Sequence, residues 1–224
     1  MIPLRDVNPS RRFPAVTYGI IGLCVLAFFY ELALGPGLRI WIYRYGIVPI
    51  RYTHLEVASR FSTLEQAIPF VTTMFLHGGW MHLIGNMWVL HIFGDNVESA
   101  LGRGRYLLFY LLCGLIASLM HIVTNPSSRI PTIGASGAIA GVMGAYFLLY
   151  PRARVLTLVP IFFYFSIVEM PAYVFLGLWF VMQFFSGTFA LMGGGAQVGG
   201  VAWWAHIGGF VAGMVLVKVF RERR

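Results

Sequence analysis

Long apolar segments alternate with shorter polar ones along this chain. Six of them approach the roughly 20 residues that a helix needs to cross a bilayer: approximately 14–34, 79–98, 105–124, 132–150, 169–189 and 201–220. We therefore predict an all-α integral membrane protein, a bundle of six transmembrane helices. In this interpretation residues 1–13 are a cytoplasmic N-terminus, residues 14–220 the membrane domain and residues 221–224 a cytoplasmic tail.

Two stretches between the apolar segments do not fit a separate membrane span. Residues 35–76 combine aromatic side chains with acidic and basic ones, so we predict an outer interfacial loop between helices 1 and 2, half-sunk at headgroup level. Residues 155–168 are apolar but short, and they contain Pro160. We expect this second stretch to lie along the membrane surface or to lengthen the fifth span.

The composition supports a membrane protein and indicates its orientation. Hydrophobic residues make up 58% of the 224 residues and charged residues only 11%, against roughly 25% charged residues in soluble domains. The net charge of +8 arises from small groups of Lys and Arg between apolar segments, so we expect no nucleic-acid partner. Such groups mark cytoplasmic loops. Their distribution predicts a multi-pass cell-membrane protein, of prokaryotic type, with both termini in the cytoplasm.

Strongly polar side chains inside the predicted spans are candidate functional residues, because lipid makes them costly. His82 and Asn86 lie in the second span, four residues apart and therefore on one helical face. Ser136 lies at the start of the fourth span and His206 near the start of the sixth. Spans two, four and six all begin on the outer side. We therefore expect Asn86, Ser136 and His206 to share a depth of about 5–13 Å below their outer ends.

A serine and a histidine at one depth can perform acyl transfer. We predict that Ser136 attacks a carbonyl carbon while His206 acts as general base and then as general acid. The Asn86 amide and the His82 ring N–H would stabilise the oxyanion, together with the backbone N–H of Ser136. Asp95 and Glu98 lie about 14–18 Å deeper than Asn86 by helical rise. Because we find no acid near His206, we predict a catalytic dyad.

Small residues predict which helices meet. Gly137 and Gly141 form a small-xxx-small step on the fourth span, and Gly209 and Gly213 form another on the sixth. Such steps let helix backbones approach closely in a bilayer. We expect contact between these two spans to bring Ser136 to His206.

These residues resemble the rhomboid intramembrane serine proteases over about residues 14–220. The matching motifs are the His77–His82–Asn86 block, the Gly134-Ala135-Ser136-Gly137 segment, His206 with Gly209 and Gly213, and Asn96-Val97-Glu98 through Leu101-Gly102-Arg103. One position departs from the family, since Pro69-Phe70 stands where many members have a Trp-Arg pair in the first loop.

The resemblance implies a Ser136–His206 dyad with Asn86 and His82 assisting the oxyanion, and no metal or cofactor. Gly134, Gly137, Gly209 and Gly213 would be structural motif residues that also permit close approach of the substrate. Substrates would be single-pass membrane proteins, cut near the outer surface at a small residue beside helix-destabilising ones. Span five and the loop before span six, with Gly193-Gly194-Gly195, would act as gate and cap.

Other functions fit the residues less well. A zinc helix needs histidines four apart with a glutamate between them, whereas His77 and His82 are five apart. An aspartyl intramembrane protease needs paired aspartates, and only Asp95 lies in a span. The two cysteines, Cys24 and Cys113, form no metal or disulfide motif. An inactive relative that acts as chaperone or adaptor should lack the nucleophile or the base, and this chain has both. A transporter stays conceivable, but the sequence lacks the charged residues and broken helices in paired halves that transporters use.

Overall fold

The structure, a computed structural model, describes residues 1–10, 12–161, 164–192 and 202–221. It is mostly helical, as expected. The helices are α1 (Ala15–Ala33), α2 (Leu38–Tyr45), α3 (Ile50–Thr53), α4 (Leu55–Ala58), α5 (Thr63–Ala67), α6 (Pro69–Thr72), α7 (Trp80–Leu101), α8 (Arg103–Thr124), α9 (Ser136–Leu149), α10 (Ala172–Met192) and α11 (Trp203–Phe220). A short 3-10 turn, Gly35–Gly37, joins α1 to α2.

Four helices in the described part of the chain are long and apolar enough to cross a membrane, namely α1, α8, α10 over Ala172–Leu191, and α11. They confirm a multi-pass membrane bundle. The second and fourth predicted spans correspond to α7 and α9. Of these, α9 is apolar but has only 14 residues, and α7 has 22 residues but carries Asp95 and Glu98. The total of six spans therefore stays a prediction.

Helix α9 forms the centre of the bundle and packs against α7, α8, α10 and α11. Its residues from Ala138 to Tyr146 are all buried. Glycine makes its contact with α11 possible: a β-carbon on Gly209 would collide with the carbonyl of Gly137, and one on Gly213 with the carbonyl of Gly141. The predicted close approach of these two spans is confirmed.

Residues that we expected at the membrane surface or in the fifth span form strands instead. Strand β1 (Ile2–Asp6) pairs antiparallel with β2 (Arg154–Ile161), which pairs antiparallel with β3 (Tyr164–Pro171), in the order β1-β2-β3. The all-α prediction is wrong for these segments. Their β-branched and aromatic residues favour strands, and Pro160 disfavours the interior of a helix. The N-terminal segment likewise contains a strand that packs on α7.

The segment 35–76 is a chain of short helices. Within it, Ser62 and Glu65 form a capping box at the N-terminus of α5. The backbone and side-chain hydrogen bonds from Ser62 lower the pKa of the Glu65 carboxyl. Farther along, Pro69 begins α6, at the site where the resemblance leads one to expect a Trp-Arg pair. The interfacial position of this segment stays a prediction.

Candidate active site

The start of α9 brings Ser136 beside His206. A loop precedes the helix, and two hydrogen bonds tie it to the segment before α7: Gly134 N–H donates to the Thr73 carbonyl, and the Thr73 hydroxyl donates to the Thr132 carbonyl. Ser136 then begins α9, while His206 lies in the first turn of α11. The distance from Ser136 Oγ to His206 Nε2 is 2.7 Å. A hydroxyl and an imidazole are therefore in hydrogen-bond contact.

A third side chain, Gln183 on α10, completes the contacts of the imidazole. Its Oε1 lies 2.8 Å from His206 Nδ1, and both side chains are buried. The amide oxygen accepts only, so it holds the proton on Nδ1 and leaves Nε2 free to accept the proton of the Ser136 hydroxyl. This is the tautomer that a general base requires.

We did not predict Gln183, because we sought a charged partner for His206. The signal was nevertheless present in the sequence. Helix α10 starts at Ala172 on the predicted cytoplasmic side, so Gln183 lies about 16 Å up the helix by the helical rise. An amide at that level in an apolar span qualifies as a functional candidate.

The proposed oxyanion donors lie on the facing side of the site. Asn86 Nδ2 is buried and has no hydrogen-bond partner, and a buried donor of this kind is costly unless a ligand pairs with it. The Gly78 backbone N–H donates to His82 Nδ1 at 3.4 Å, which leaves the ring proton on Nε2. The backbone N–H of Ser136, at a helix N-terminus, has no intrahelical acceptor.

Gly134 is the point where the loop passes these donors. Its φ of +127° is unfavourable for other residues. A β-carbon there would lie 2.6 Å from His82 Nε2 and 3.6 Å from Asn86 Nδ2. Glycine thus serves both the backbone conformation and the close approach. His82, Asn86, Gly134, Ser136 and His206 all line one cavity of about 810 Å³, which is large enough for a peptide segment.

His77 lies outside this arrangement and has a structural contact instead. Its backbone N–H donates to the buried Glu31 carboxylate at 3.1 and 3.3 Å, which fixes the chain just before α7. Its ring packs edge-on against His82 at 5.1 Å between centroids. The pKa of His77 is lowered to about 4, mainly by burial and secondly by the charge of the nearby His82.

The acids of α7 have roles at the far end of the helix. Glu98 accepts hydrogen bonds from the backbone N–H groups of Val16 and Thr17 at 3.0 and 2.8 Å, and from the Thr17 hydroxyl. It therefore joins α7 to the start of α1.

Within the described residues, no group of three His, Cys, Asp or Glu side chains could hold a metal ion, and Cys24 and Cys113 are buried free thiols.

We expected the fifth span to act as a gate and the loop before the sixth span as a cap, and only the fifth span lies within the described residues. The glycine-rich loop with Gly193-Gly194-Gly195, expected to act as the cap, lies outside the described residues. Its neighbour α10 is described and contributes Gln183, and the Trp179 ring of the same helix lies 5.9 Å from the His206 ring. The expected gate helix therefore also contacts the His206 imidazole.

Comparison with known proteins gives the family. The rhomboid domain model matches residues 64–223. The putative rhomboid protease YdcA of Bacillus subtilis (strain 168) is 30% identical over 139 residues, which are 62% of this chain and 64% of that protein. The rhomboid protease GluP of the same organism is 34% identical over 144 residues, 61% of this chain and 24% of GluP.

A mitochondrial relative matches a shorter region. The presenilin-associated rhomboid-like protein A of Danio rerio is 32% identical over 99 residues, 43% of this chain and 26% of that protein. The chain thus spans less than two thirds of the length of each of these relatives. The domain match nevertheless covers most of this chain and includes Ser136 and His206. This chain belongs to the rhomboid family.

Proposed function

We propose that this protein is an intramembrane serine endopeptidase that cleaves transmembrane segments of single-pass membrane proteins near the outer membrane face. The observation that carries the proposal is the buried chain of contacts from Ser136 Oγ to His206 Nε2 at 2.7 Å and from His206 Nδ1 to Gln183 Oε1 at 2.8 Å. Membership of a family that includes named proteases supports it.

The reaction follows from the positions of the donors and acceptors. His206 Nε2 takes the hydroxyl proton as Ser136 Oγ attacks the peptide carbonyl carbon, and Gln183 steadies the imidazolium through Nδ1–H. The carbonyl oxygen becomes an oxyanion and accepts hydrogen bonds from Asn86 and His82. His206 then protonates the departing amine, which leaves an acyl-enzyme on Ser136. A water molecule, deprotonated by the same imidazole, releases the second product.

The location of the site within the bilayer limits which peptide bonds Ser136 can reach. A peptide bond inside a helix is shielded by the helix's own hydrogen bonds, so the segment must unwind before Ser136 can reach it. The predicted position of Ser136 and His206, near the outer ends of α7, α9 and α11, supports a cut near the outer surface. We propose a six-span topology with cytoplasmic termini in a cell membrane, and a reaction that uses no metal or cofactor.

The test is covalent labelling and cleavage in detergent or liposomes. A serine-directed fluorophosphonate should label the parent protein, and the parent should cut a model single-pass substrate with a small residue near its outer end. Ser136→Ala and His206→Ala should lose cleavage. Ser118→Ala is the matched control, since Ser118 is a buried serine on α8 that lines the same cavity. It should keep both labelling and cleavage.

Two results would contradict the proposal. One is cleavage by Ser136→Ala at the rate of the parent. The other is a parent protein that is folded but neither reacts with the fluorophosphonate nor cleaves any transmembrane substrate. That second result would favour an inactive family member that binds membrane proteins without cutting them.

A further inference from the structure

Another cavity, of about 560 Å³, lies in the segment that follows α1. Its walls come from α2, from α3 and from the residues around α5. It shares no lining residue with the cavity that holds Ser136 and His206. Its charged lining residues are Arg39, Arg44, Arg51 and Glu65. The cavity is therefore separate from the candidate active site and carries a net charge of +2.

Helix α2 places two of these arginines at the cavity. Arg39 and Tyr43 are four residues apart and so lie on one helical face, with the guanidinium 6.0 Å from the ring centroid. The Arg44 guanidinium lies 5.8 Å from the centroid of the Tyr45 ring. Both arginines are exposed. An aromatic ring beside a guanidinium restricts that long side chain, so less conformational freedom is lost when an anion binds.

The third arginine, Arg51 on α3, is half-buried. Its guanidinium lies 4.3 Å from the centroid of the Phe61 ring. Burial lowers the pKa of Arg51, against the opposing influence of Tyr52 and Glu65. This cation has thus lost part of its hydration, and an anion bound beside it would compensate for that loss.

The cavity has no anion of its own paired with these three side chains. Glu65 Oε2 already accepts hydrogen bonds from the backbone N–H and the hydroxyl of Ser62, at 3.0 and 2.9 Å. Among the residues that the structure describes, none of the three arginine side chains forms a hydrogen bond or an ion pair. Guanidinium groups bind phosphate oxygens through paired N–H donors. We therefore expect a ligand that carries a phosphate.

Contacts with the rest of the protein hold α2 in place. The Thr72 hydroxyl donates to the Tyr45 carbonyl at 2.7 Å. The Trp41 ring of α2 packs edge-on against the Tyr30 ring of α1, with 5.0 Å between centroids. The arginines of α2 are thus presented by a fixed helix, and a ligand need not order the wall of the cavity when it binds.

The surroundings of the cavity favour a lipid as the source of the phosphate. Helix α1, which is long and apolar enough to cross a membrane, ends at Ala33, and α2 follows directly after the turn Gly35–Gly37. The predicted interfacial position of this segment puts the cavity at headgroup level. Ile40, which lines the cavity, is 75% exposed, and Leu32 on α1 is 48% exposed. Exposed apolar side chains beside the cavity suit an acyl chain, which neither free phosphate nor an acidic peptide has.

We propose that this cavity binds the headgroup of an anionic phospholipid. The phosphate lies among the guanidinium groups of Arg39, Arg44 and Arg51, and an acyl chain runs along Ile40. A lipid with a net negative charge balances the charge of the cavity, whereas a zwitterionic lipid does not. The inference goes beyond the proposed protease activity and does not depend on it, so the Ser136→Ala protein should bind the lipid as the parent does.

The first experiment measures lipid binding to the purified protein in a nonionic detergent by native mass spectrometry. The probes are phosphatidylglycerol and phosphatidylcholine with identical acyl chains, because both carry the phosphate but only the first has a net negative charge. We expect the Kd of the parent protein for phosphatidylglycerol to be about fivefold or more below that for phosphatidylcholine. Equal Kd values for the two lipids would overturn the proposal.

The second experiment identifies the arginines. Arg39→Gln/Arg44→Gln removes two exposed side chains from the cavity and should raise the Kd for phosphatidylglycerol about 10- to 30-fold. Arg60→Gln/Arg129→Gln is the matched control, since it removes two exposed arginines that do not line the cavity. An equal rise in both double variants would reveal attraction to net charge alone and contradict the proposal. Displacement of the lipid by an equal concentration of inorganic phosphate would indicate a free-phosphate site instead.

The third experiment leaves the arginines in place, so it decides the matter even if the double variant does not fold. A fluorophore attached to Ile40→Cys should be quenched more by phosphatidylglycerol with a nitroxide on its acyl chain than by phosphatidylcholine with the same nitroxide. Leu55→Cys is the control, because Leu55 is 88% exposed on α4 and does not line the cavity. There the two lipids should quench alike. If they also quench alike at residue 40, the cavity does not select the anionic lipid.

Discussion

Replacing Gln183 by leucine separates orientation of the imidazole from binding of the substrate. Leucine is close in size to glutamine and suits an apolar helix, but it cannot accept the proton on His206 Nδ1. That proton then has no partner in a site where Gln183 and His206 are 8% and 9% exposed. The imidazole is also free to adopt the other tautomer, in which Nε2 cannot act as a base toward Ser136.

The size of the effect follows from the hydrogen bond that leucine removes. A buried donor left without its acceptor costs about 1–3 kcal/mol, and hydrogen bonds to a charged group are roughly twice as strong as neutral ones. Because His206 becomes positively charged only during the reaction, the loss falls on the transition state. At about 1.4 kcal/mol per factor of ten, kcat should fall about 10- to 100-fold. KM should change by less than about twofold, because the substitution removes no contact that binds substrate and transition state equally.

The assay is steady-state cleavage of the model substrate in liposomes, which gives kcat and KM separately. Gln183→Glu, which keeps an acceptor, should recover much of the lost kcat. Met182→Leu is the matched control on the same helix, because Met182 is 47% exposed. If Gln183→Leu has the kcat of Met182→Leu, or if it loses only substrate affinity, Gln183 does not orient the imidazole.

Three further changes test other parts of the structure. Asn86→Ala should lower kcat about 10²- to 10³-fold without abolishing cleavage, because His82 and a backbone N–H remain; an unchanged kcat would exclude an oxyanion role. Gly213→Val forces a side chain against the Gly141 carbonyl. We therefore expect the free energy of unfolding, measured by thermal unfolding in detergent, to fall by about 1–3 kcal/mol or more. Glu98→Leu leaves two backbone N–H groups of α1 without an acceptor, with a similar cost of about 1–3 kcal/mol in the same measurement. Fluorophosphonate labelling of the Glu98→Leu protein that remains folded should match the parent, and a loss of labelling would refute a purely structural role.

The meeting of Ser136, His206 and Asn86 could be predicted because it depends on simple regularities. Helical rise converts sequence position into depth, and alternating span direction puts the starts of spans two, four and six on one side. The glycine steps on α9 and α11 then indicate which helices touch. None of this required side-chain detail. The same reasoning would have placed Gln183 at a similar level, had uncharged residues been considered as partners of His206.

The β2–β3 hairpin could not be predicted in this way. A continuous apolar run carries no periodicity that separates a buried strand from a helix. Its pairing with β1 depends on residues about 150 positions earlier in the chain, such as Ile2 with Leu158. Only tertiary contacts, among them the bond from Trp88 to Pro3, place the sheet beside α7. No pattern in the N-terminal residues predicted that Ile2–Asp6 would form an edge strand of the sheet.

The use of an amide where soluble serine proteases place an acid has a physical reason in this setting. An ionised carboxylate within a bilayer costs about 2.5–3.5 kcal/mol even on the most lenient insertion scale, and Gln183 lies on a helix whose neighbouring Met182 and Phe184 are exposed and apolar. A neutral chain of hydrogen bonds from Ser136 through His206 to Gln183 avoids that cost before any substrate is attacked. In the proposed mechanism charge appears only when the substrate carbonyl is attacked, and it appears as a pair, with the imidazolium on one side and the oxyanion on the other. The site thus needs donors and acceptors in fixed places rather than a permanent charge, and Asn86 Nδ2, buried and unpaired, is such a donor.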